Sequence, residues 1–354
     1  MPLTQIKGSN IDAVLTNTQL NTTGTGTSST VLPGTFTWGS AERSGLTNYA
    51  ASDPANPALG DVWYQAGNIK IGSNSNLLVG IWSTTGNMNA NRQGTAGAGV
   101  TNAATIFCGS GPLATSENFN EGVFATNANN MLVGRYFPST FGTVGAALVF
   151  GGNDGNRSAT SEEWDGVSAS AGGSLSVAQQ YSCGAGSLSA GISMAGEINT
   201  GNAETTATQE YNGTSWSAAG NLTTARYANY GCGTQTAALT WSGKAAPSSL
   251  YTSEEYDGTS WSAGGTVVPE LKYGNSQMGT QSAALSAGSE TAPKNMTQEY
   301  DGTAWSAGST LNTGRREGGS GGSQSGGLYA GGNDSSATST SEEWNKPQIQ
   351  YYDV

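Results

Sequence analysis

Residues 297–308 read TQEYDGTAWSAG, and the phrase returns as SEEYDGTSWSAGG at 253–265, TQEYNGTSWSAAG at 208–220 and SEEWDGVSASAGG at 161–173. A shortened SEEWN stands at 341–345 and a fainter SENFNEGVF at 116–124. The anchor aromatics Trp344, Tyr300, Tyr256, Tyr211, Trp164 and Phe119 are 44, 44, 45, 47 and 45 residues apart. A second aromatic column follows five residues after the anchors at Phe124, Trp216, Trp261 and Trp305, with Ala169 in its place once. A step back of 42 residues from Phe124 lands on Trp82 in the same register. A repeat of this length is one unit that cannot bury its apolar face alone, so copies stack into a solenoid, propeller or array.

The unit reads as β structure. Asp257-Gly258, Asn212-Gly213 and Asp301-Gly302 lie between the two aromatic columns, and such a step needs positive φ and marks a tight hairpin. No 3.6-residue period persists, and 53 glycines weigh against long helices. A unit of 44 residues holds four short strands with their turns, which is one propeller blade. The register gives six units, from Trp82–Phe119 to Trp305–Trp344. The last lacks a strand after Trp344, and the first opens with an unpartnered Ile81-Trp82-Ser83. Pairing these two would close the ring and remove the last exposed sheet edges. The expectation is an all-β, six-bladed propeller over residues 61–354 with N- to C-terminal strand closure, preceded by an extended arm over residues 1–60. Seven blades are the alternative if residues 61–71 build another.

Gly151-Gly152 with Trp164, and Gly331-Gly332 with Trp344, show a double glycine, a spacer, a glutamate and an anchor aromatic. This is similar to kelch-type propeller repeats over about residues 82–344. Other units depart from it, with Ala195-Gly196, Ser242-Gly243 and Ala287-Gly288 at the glycine pair. The resemblance implies architecture and says little of function.

Composition narrows the function classes. Only 11% of the chain is charged, and its net charge of −12 opposes nucleic acid and anionic membranes as partners. No apolar run reaches 18 residues, so no membrane insertion is expected. The opening MPLTQIKGSNIDAVL lacks the basic flank and apolar stretch of a secretory signal. Without histidine, the usual Ser-His-Asp, Cys-His and histidine–metal constellations are unavailable. Glu162-Glu163, Glu254-Glu255 and Glu342-Glu343 are adjacent strand residues that point to opposite faces, unlike two carboxylates around one glycosidic bond. Cys108, Cys183 and Cys232 read as buried free thiols. The chain reads as a non-enzyme with no cofactor and no metal.

Five cations recur ten or eleven residues after the second column: Arg92, Arg135, Arg226, Lys272 and Arg315, with Gln179-Gln180 in the remaining unit. Two readings are open. Each cation could pair internally with the glutamate preceding an anchor (Glu163, Glu210, Glu255, Glu299, Glu343), or the tier could form a cationic collar at a channel mouth. The aromatic columns are expected to be blade-to-blade core. Binding is expected where repeats differ, in the linkers at 153–159, 197–206, 244–251, 290–295 and 333–338. The candidate ligand-binding residues are Arg316, Arg315, Trp241, Lys244, Arg157 and Asp154.

Within the first 60 residues, the stretch from Thr16 to Gly34 is Thr-, Ser-, Asn- and Gly-rich and cannot bury a core by itself. Short apolar patches, with Ile6, Ile11 and Leu15 as docking candidates, read as an attachment arm. Further on, Gly60-Asp61-Val62-Trp63-Tyr64 and Ile69-Lys70-Ile71 resemble a hairpin near the start of tail-fibre and other structural proteins of tailed bacteriophages. The opening MPLTQIKGSNID resembles those fibre N-termini, and propellers with the DGTSWSAGG repeat look like ones in virion proteins of marine and cyanobacterial phages. The resemblance implies a multicopy or homo-oligomeric appendage on the particle exterior. Its arm would bind other virion proteins, and its propeller would bind host-surface glycans or a neighbouring virion protein. The alternatives are a capsid or tail decoration protein and a free lectin-like module.

Overall fold

The computed structural model describes residues 80–198, 203–267 and 276–346 in full, with the backbone of Asn199 and of six short strands nearer the N-terminus. Gly80–Lys346 forms a compact unit of six four-stranded antiparallel sheets, a β-propeller with no helix among its described residues. Blade 1 runs outward through Ala96–Val100, Ala103–Phe107, Ser116–Asn120 and Val123–Thr126. Blades 2 to 6 start from Ser139–Thr143, Cys183–Ser187, Tyr230–Thr234, Met278–Thr280 and Gly319–Gly322, whose inner strands meet around the axis. These strands are glycine-rich because they crowd together: a Cβ on Gly97 would lie 2.5 Å from the Ser320 backbone.

The outer strand of blade 6 is Ile81–Thr84, from the other end of the unit. Trp344 lies opposite Trp82 and Asn345 opposite Ile81, the expected closure. Six blades complete the ring, so the seven-bladed alternative falls. Residues 62–65 and 68–71 pair only with each other, as do Leu32–Trp38 with Ala41–Leu46 and Ile6–Gly8 with Ile11–Ala13. Ile6 and Ile11 fall on the last pair, and Leu15 lies outside the described residues.

The core lies between blades. Anchor and second-column aromatics face each other across one hairpin, Tyr256 opposite Trp261 and Tyr300 opposite Trp305. Each such pair packs on the second strand of the preceding blade: Tyr256 and Trp261 on Ile192 and Met194, Tyr300 and Trp305 on Leu239 and Trp241. Buried indole N–H groups reach the preceding blade too, Trp261 Nε1 donating to Thr208 Oγ1 at 3.1 Å and Trp82 Nε1 to Thr297 Oγ1 at 2.8 Å. All three cysteines are free and buried.

The repeated cations are internal. Arg92 pairs with Glu117 (2.9 Å), Arg135 with Glu162, Arg226 with Glu254 (2.7 Å) and Arg315 with Glu342 (2.5 Å), all almost fully buried. Lys272 lies outside the described residues. The partner differs from the expected one: it is the glutamate two residues before the anchor, not the one immediately before. Side chains alternate along a strand, so Glu162 shares the buried face of Trp164 while Glu163 points the other way. The displaced glutamates link blades instead. Tyr211 Oη donates to Glu163 at 2.5 Å, Tyr256 to Glu210 at 2.8 Å and Tyr300 to Glu255 at 2.6 Å.

Candidate functional site

Two residues beyond each buried cation, or beyond Gln179 in blade 3, the chain turns into the inner strand with left-handed backbone. Gly94 (φ 62°), Phe137 (52°), Tyr181 (54°), Ala228 (51°) and Glu317 (61°) hold this position in blades 1, 2, 3, 4 and 6. The turn aims backbone N–H groups at the same position of the preceding blade. Phe137 N donates to Gly94 O (2.9 Å), Ala228 N to Tyr181 O (2.8 Å) and Gly94 N to Glu317 O (2.8 Å). Glycine satisfies this geometry without strain. A phenylalanine, tyrosine or glutamate there costs about 1–2 kcal/mol in local conformational energy.

These side chains gather at one end of the axial channel, around a cleft of about 260 Å³. Phe137, Tyr181 and Tyr227 line it together with Glu197, Asn229 and Glu317, and Lys244 stands on its rim. Tyr136, Phe137 and Tyr181 form a continuous half-buried aromatic ledge, with ring centroids 3.7 Å and 3.9 Å apart in turn, and Tyr227 follows at 6.3 Å. A narrower polar cavity of about 60 Å³ continues from the same walls, sharing Thr95, Ser182 and Asn229.

A polar girdle holds the ledge. Asn333 Nδ2 donates to Gln93 Oε1, and Gln93 Nε2 to Tyr136 Oη at 3.3 Å. On the opposite arc Asn153 donates to Gln180 (3.0 Å), Gln180 to Glu197 (2.7 Å) and Arg157 to Glu197 (2.5 Å). Glu317 is the least satisfied acid here: its side chain is 15% exposed, and Arg316 approaches only to 3.8 Å because it pairs closely with Glu290. Burial pushes the Glu317 carboxyl above the usual carboxylate range, against the pull of Arg316 and Lys294. Burial, and then the charge of Glu317, push the Tyr136 phenol up to about 12 and move Tyr181 in the same direction.

The residues expected from sequence are scattered over this arrangement. Lys244 lines the cleft, Arg157 is tied to Glu197 in its girdle, and Arg316 stands beside Glu317. Arg315 and Trp241 are fully buried, the first against Glu342, the second against Trp305 with its Nε1 on Ser286 Oγ. Asp154 is exposed at a loop tip, where it accepts from Asn156 N at 3.4 Å. Phe137, Tyr181, Asn229 and Glu317 were not singled out by sequence. The available signal was positional: two residues beyond the cation the units carry Gly94, Phe137, Tyr181, Ala228, Gly274 and Glu317, with glycine replaced in four of the six. No group of His, Cys, Asp and Glu suited to a metal occurs among the described residues. Compared with known proteins, the chain matches no family model and no curated protein.

Proposed function

We propose that this propeller is a non-catalytic binding module whose ligand site is the channel-mouth cleft, displayed on the exterior of a tailed-phage particle to engage host-surface glycans. One observation carries the binding part. Large side chains occupy left-handed positions where glycine would be easier, and they line a cleft rather than the core. Strain of this kind concentrates where a side chain has a task beyond folding. Aromatic ring faces edged by carboxylate and amide groups suit saccharide recognition, because apolar C–H faces stack on rings while hydroxyls meet polar groups. Against catalysis, the paired glutamates are engaged in buried ion pairs and inter-blade hydrogen bonds. The virion assignment, with an arm that docks on other virion proteins, rests on the phage-like N-terminal segments and the repeat phrase. Multicopy display would raise the avidity of a weak single site.

The strained ring supplies its own test. Phe137→Gly and Tyr181→Gly relieve backbone strain while deleting the ledge, so both variants should fold at least as well as the parent. Saccharide screening by tyrosine fluorescence should show binding in the parent and about a tenfold or greater loss in each variant. Undiminished binding in both would move the site elsewhere. Immunogold labelling of purified phage particles with anti-propeller antibody tests display: gold on tail or fibres is expected, and bare particles would overturn it.

A further inference from the structure

The cleft is rich in acceptors. The Glu317 carboxylate has no close hydrogen-bond donor among the described residues, and its ion pair with Arg316 Nε is long, at 3.8 Å. Asn229, 2% exposed, donates through Nδ2 to Thr240 Oγ1 (2.9 Å) and to Met194 O (3.2 Å), while its Oδ1 has no partner. The Met194 carbonyl can only accept, which fixes the amide the way round it is drawn. Thr95 Oγ1 is likewise buried and without a partner. Asn229 and Thr95 line both the cleft and the cavity below it. Buried acceptors without donors cost stability, and a native structure that keeps several in one cavity needs a reason.

The other charges around the cleft have partners of their own. Glu197 is held by Arg157 and Gln180, Glu290 by Arg316, and Lys294, whose charge also acts on Glu317, donates to Asp334 O at 3.2 Å. Lys244 belongs to blade 4 and Glu317 to blade 6. Beside Glu317 stand aromatic faces, whose negative quadrupole attracts a cation. An ammonium offers three donors and no acceptor, the complement of this lining.

We propose that the channel mouth selects ligands bearing a positively charged amine, an amino sugar with its free amine being the saccharide class that fits. The pyranose face stacks on Phe137 and Tyr181, the ammonium faces Glu317, and the unpartnered oxygens of Asn229 and Thr95 accept from the ligand's N–H and O–H groups. This rests on the cleft being the saccharide site.

Three β-1,4-linked trimers of equal length separate the claims: glucosamine, N-acetylglucosamine and glucose. Titration of the full chain should give the glucosamine trimer about tenfold or greater preference over the other two. Glu317→Gln should erase that preference to within about twofold. Equal affinity for all three would overturn amine selection and leave the binding site standing. No binding of any trimer would overturn both. Glu317→Gly, which relieves the left-handed backbone, guards against a folding artefact: if it keeps the preference, Glu317 is not the selector.

Discussion

Blades 3 and 4 share one backbone plan and fill it with different chemistry. In blade 4, Arg226 donates to Ser242 O (3.1 Å), Thr252 O (2.9 Å) and Glu254 (2.7 Å), and Glu254 also accepts from Thr223 N and Thr224 N. In blade 3 the same two positions are Gln179 and Gln209. Gln179 donates to Ser193 Oγ at 2.6 Å, and Gln209 accepts from Ser176 N and Oγ, both at 2.8 Å. The hairpin turn differs in the same sense, Asn212 in blade 3 against Asp257 in blade 4. The units therefore do not drift residue by residue. Arg92, Arg135, Arg226 and Arg315 each go with a strand glutamate, whereas in blade 3 Gln179 goes with Gln209. A buried charge without its partner is expensive, so the two positions change together.

Breaking one member of the pair gives the largest expected effect. Arg226→Gln leaves Glu254 buried with backbone donors but no counter-charge, and should cost about 3–5 kcal/mol in urea unfolding. Adding Glu254→Gln installs the blade 3 solution in blade 4. The double variant should recover to within about 1–2 kcal/mol of the parent. A double variant as unstable as the single one would mean that the amide pair works only in its own blade.

A second difference runs between interfaces. Tyrosine anchors hydrogen-bond to the preceding blade's glutamate at Tyr211–Glu163, Tyr256–Glu210 and Tyr300–Glu255, whereas the anchors of blades 1, 2 and 6 are Phe119, Trp164 and Trp344. Burial, then the facing glutamate, raises each of these three phenols from 10.0 to about 12. A folded value above the unfolded one means the contribution is whole below pH 10 and disappears as pH climbs through about 12. Stability should therefore fall across that window. Tyr256→Phe should cost about 1 kcal/mol at neutral pH and shallow the alkaline decline. An unchanged alkaline limb would show that these phenols do not control it.

What could be read from sequence followed the repeats. Blade number, closure at Trp82 and Trp344, and the buried cation tier are periodic, and each repetition reinforces the pattern. The glutamate partner was misplaced by one residue because spacing alone does not reveal which face of the strand is turned inward. Trp241 and Arg315 stood out as chemically distinctive residues, yet both fill interior space. The cleft was hidden for the opposite reason. Phe137, Tyr181, Ala228 and Glu317 share a position but are aromatic, small or acidic by turns, and only the ring brings them together.

The smallest effect concerns the third amide of blade 3. Asn212 Oδ1 accepts from Thr214 N (3.0 Å) and Ser215 N (2.9 Å), as Asp257 Oδ1 does from Thr259 and Ser260 (both 2.8 Å). Those backbone donors draw the Asp257 carboxyl below the usual range, with the same effect at Asp165 and Asp301. Asn212→Asp places a charge on the same donors and should raise Tm by about 1 °C at pH 7. The sign follows from the depressed folded value: the gain is present above the unfolded carboxyl's titration and fades as pH falls through the folded one. Once the pH is below the folded carboxyl's own titration, the variant and parent should melt together. A gain that persists in acid would mean the carboxylate charge is not its source, and that blade 3 differs from its neighbours by charge only where the charge is buried.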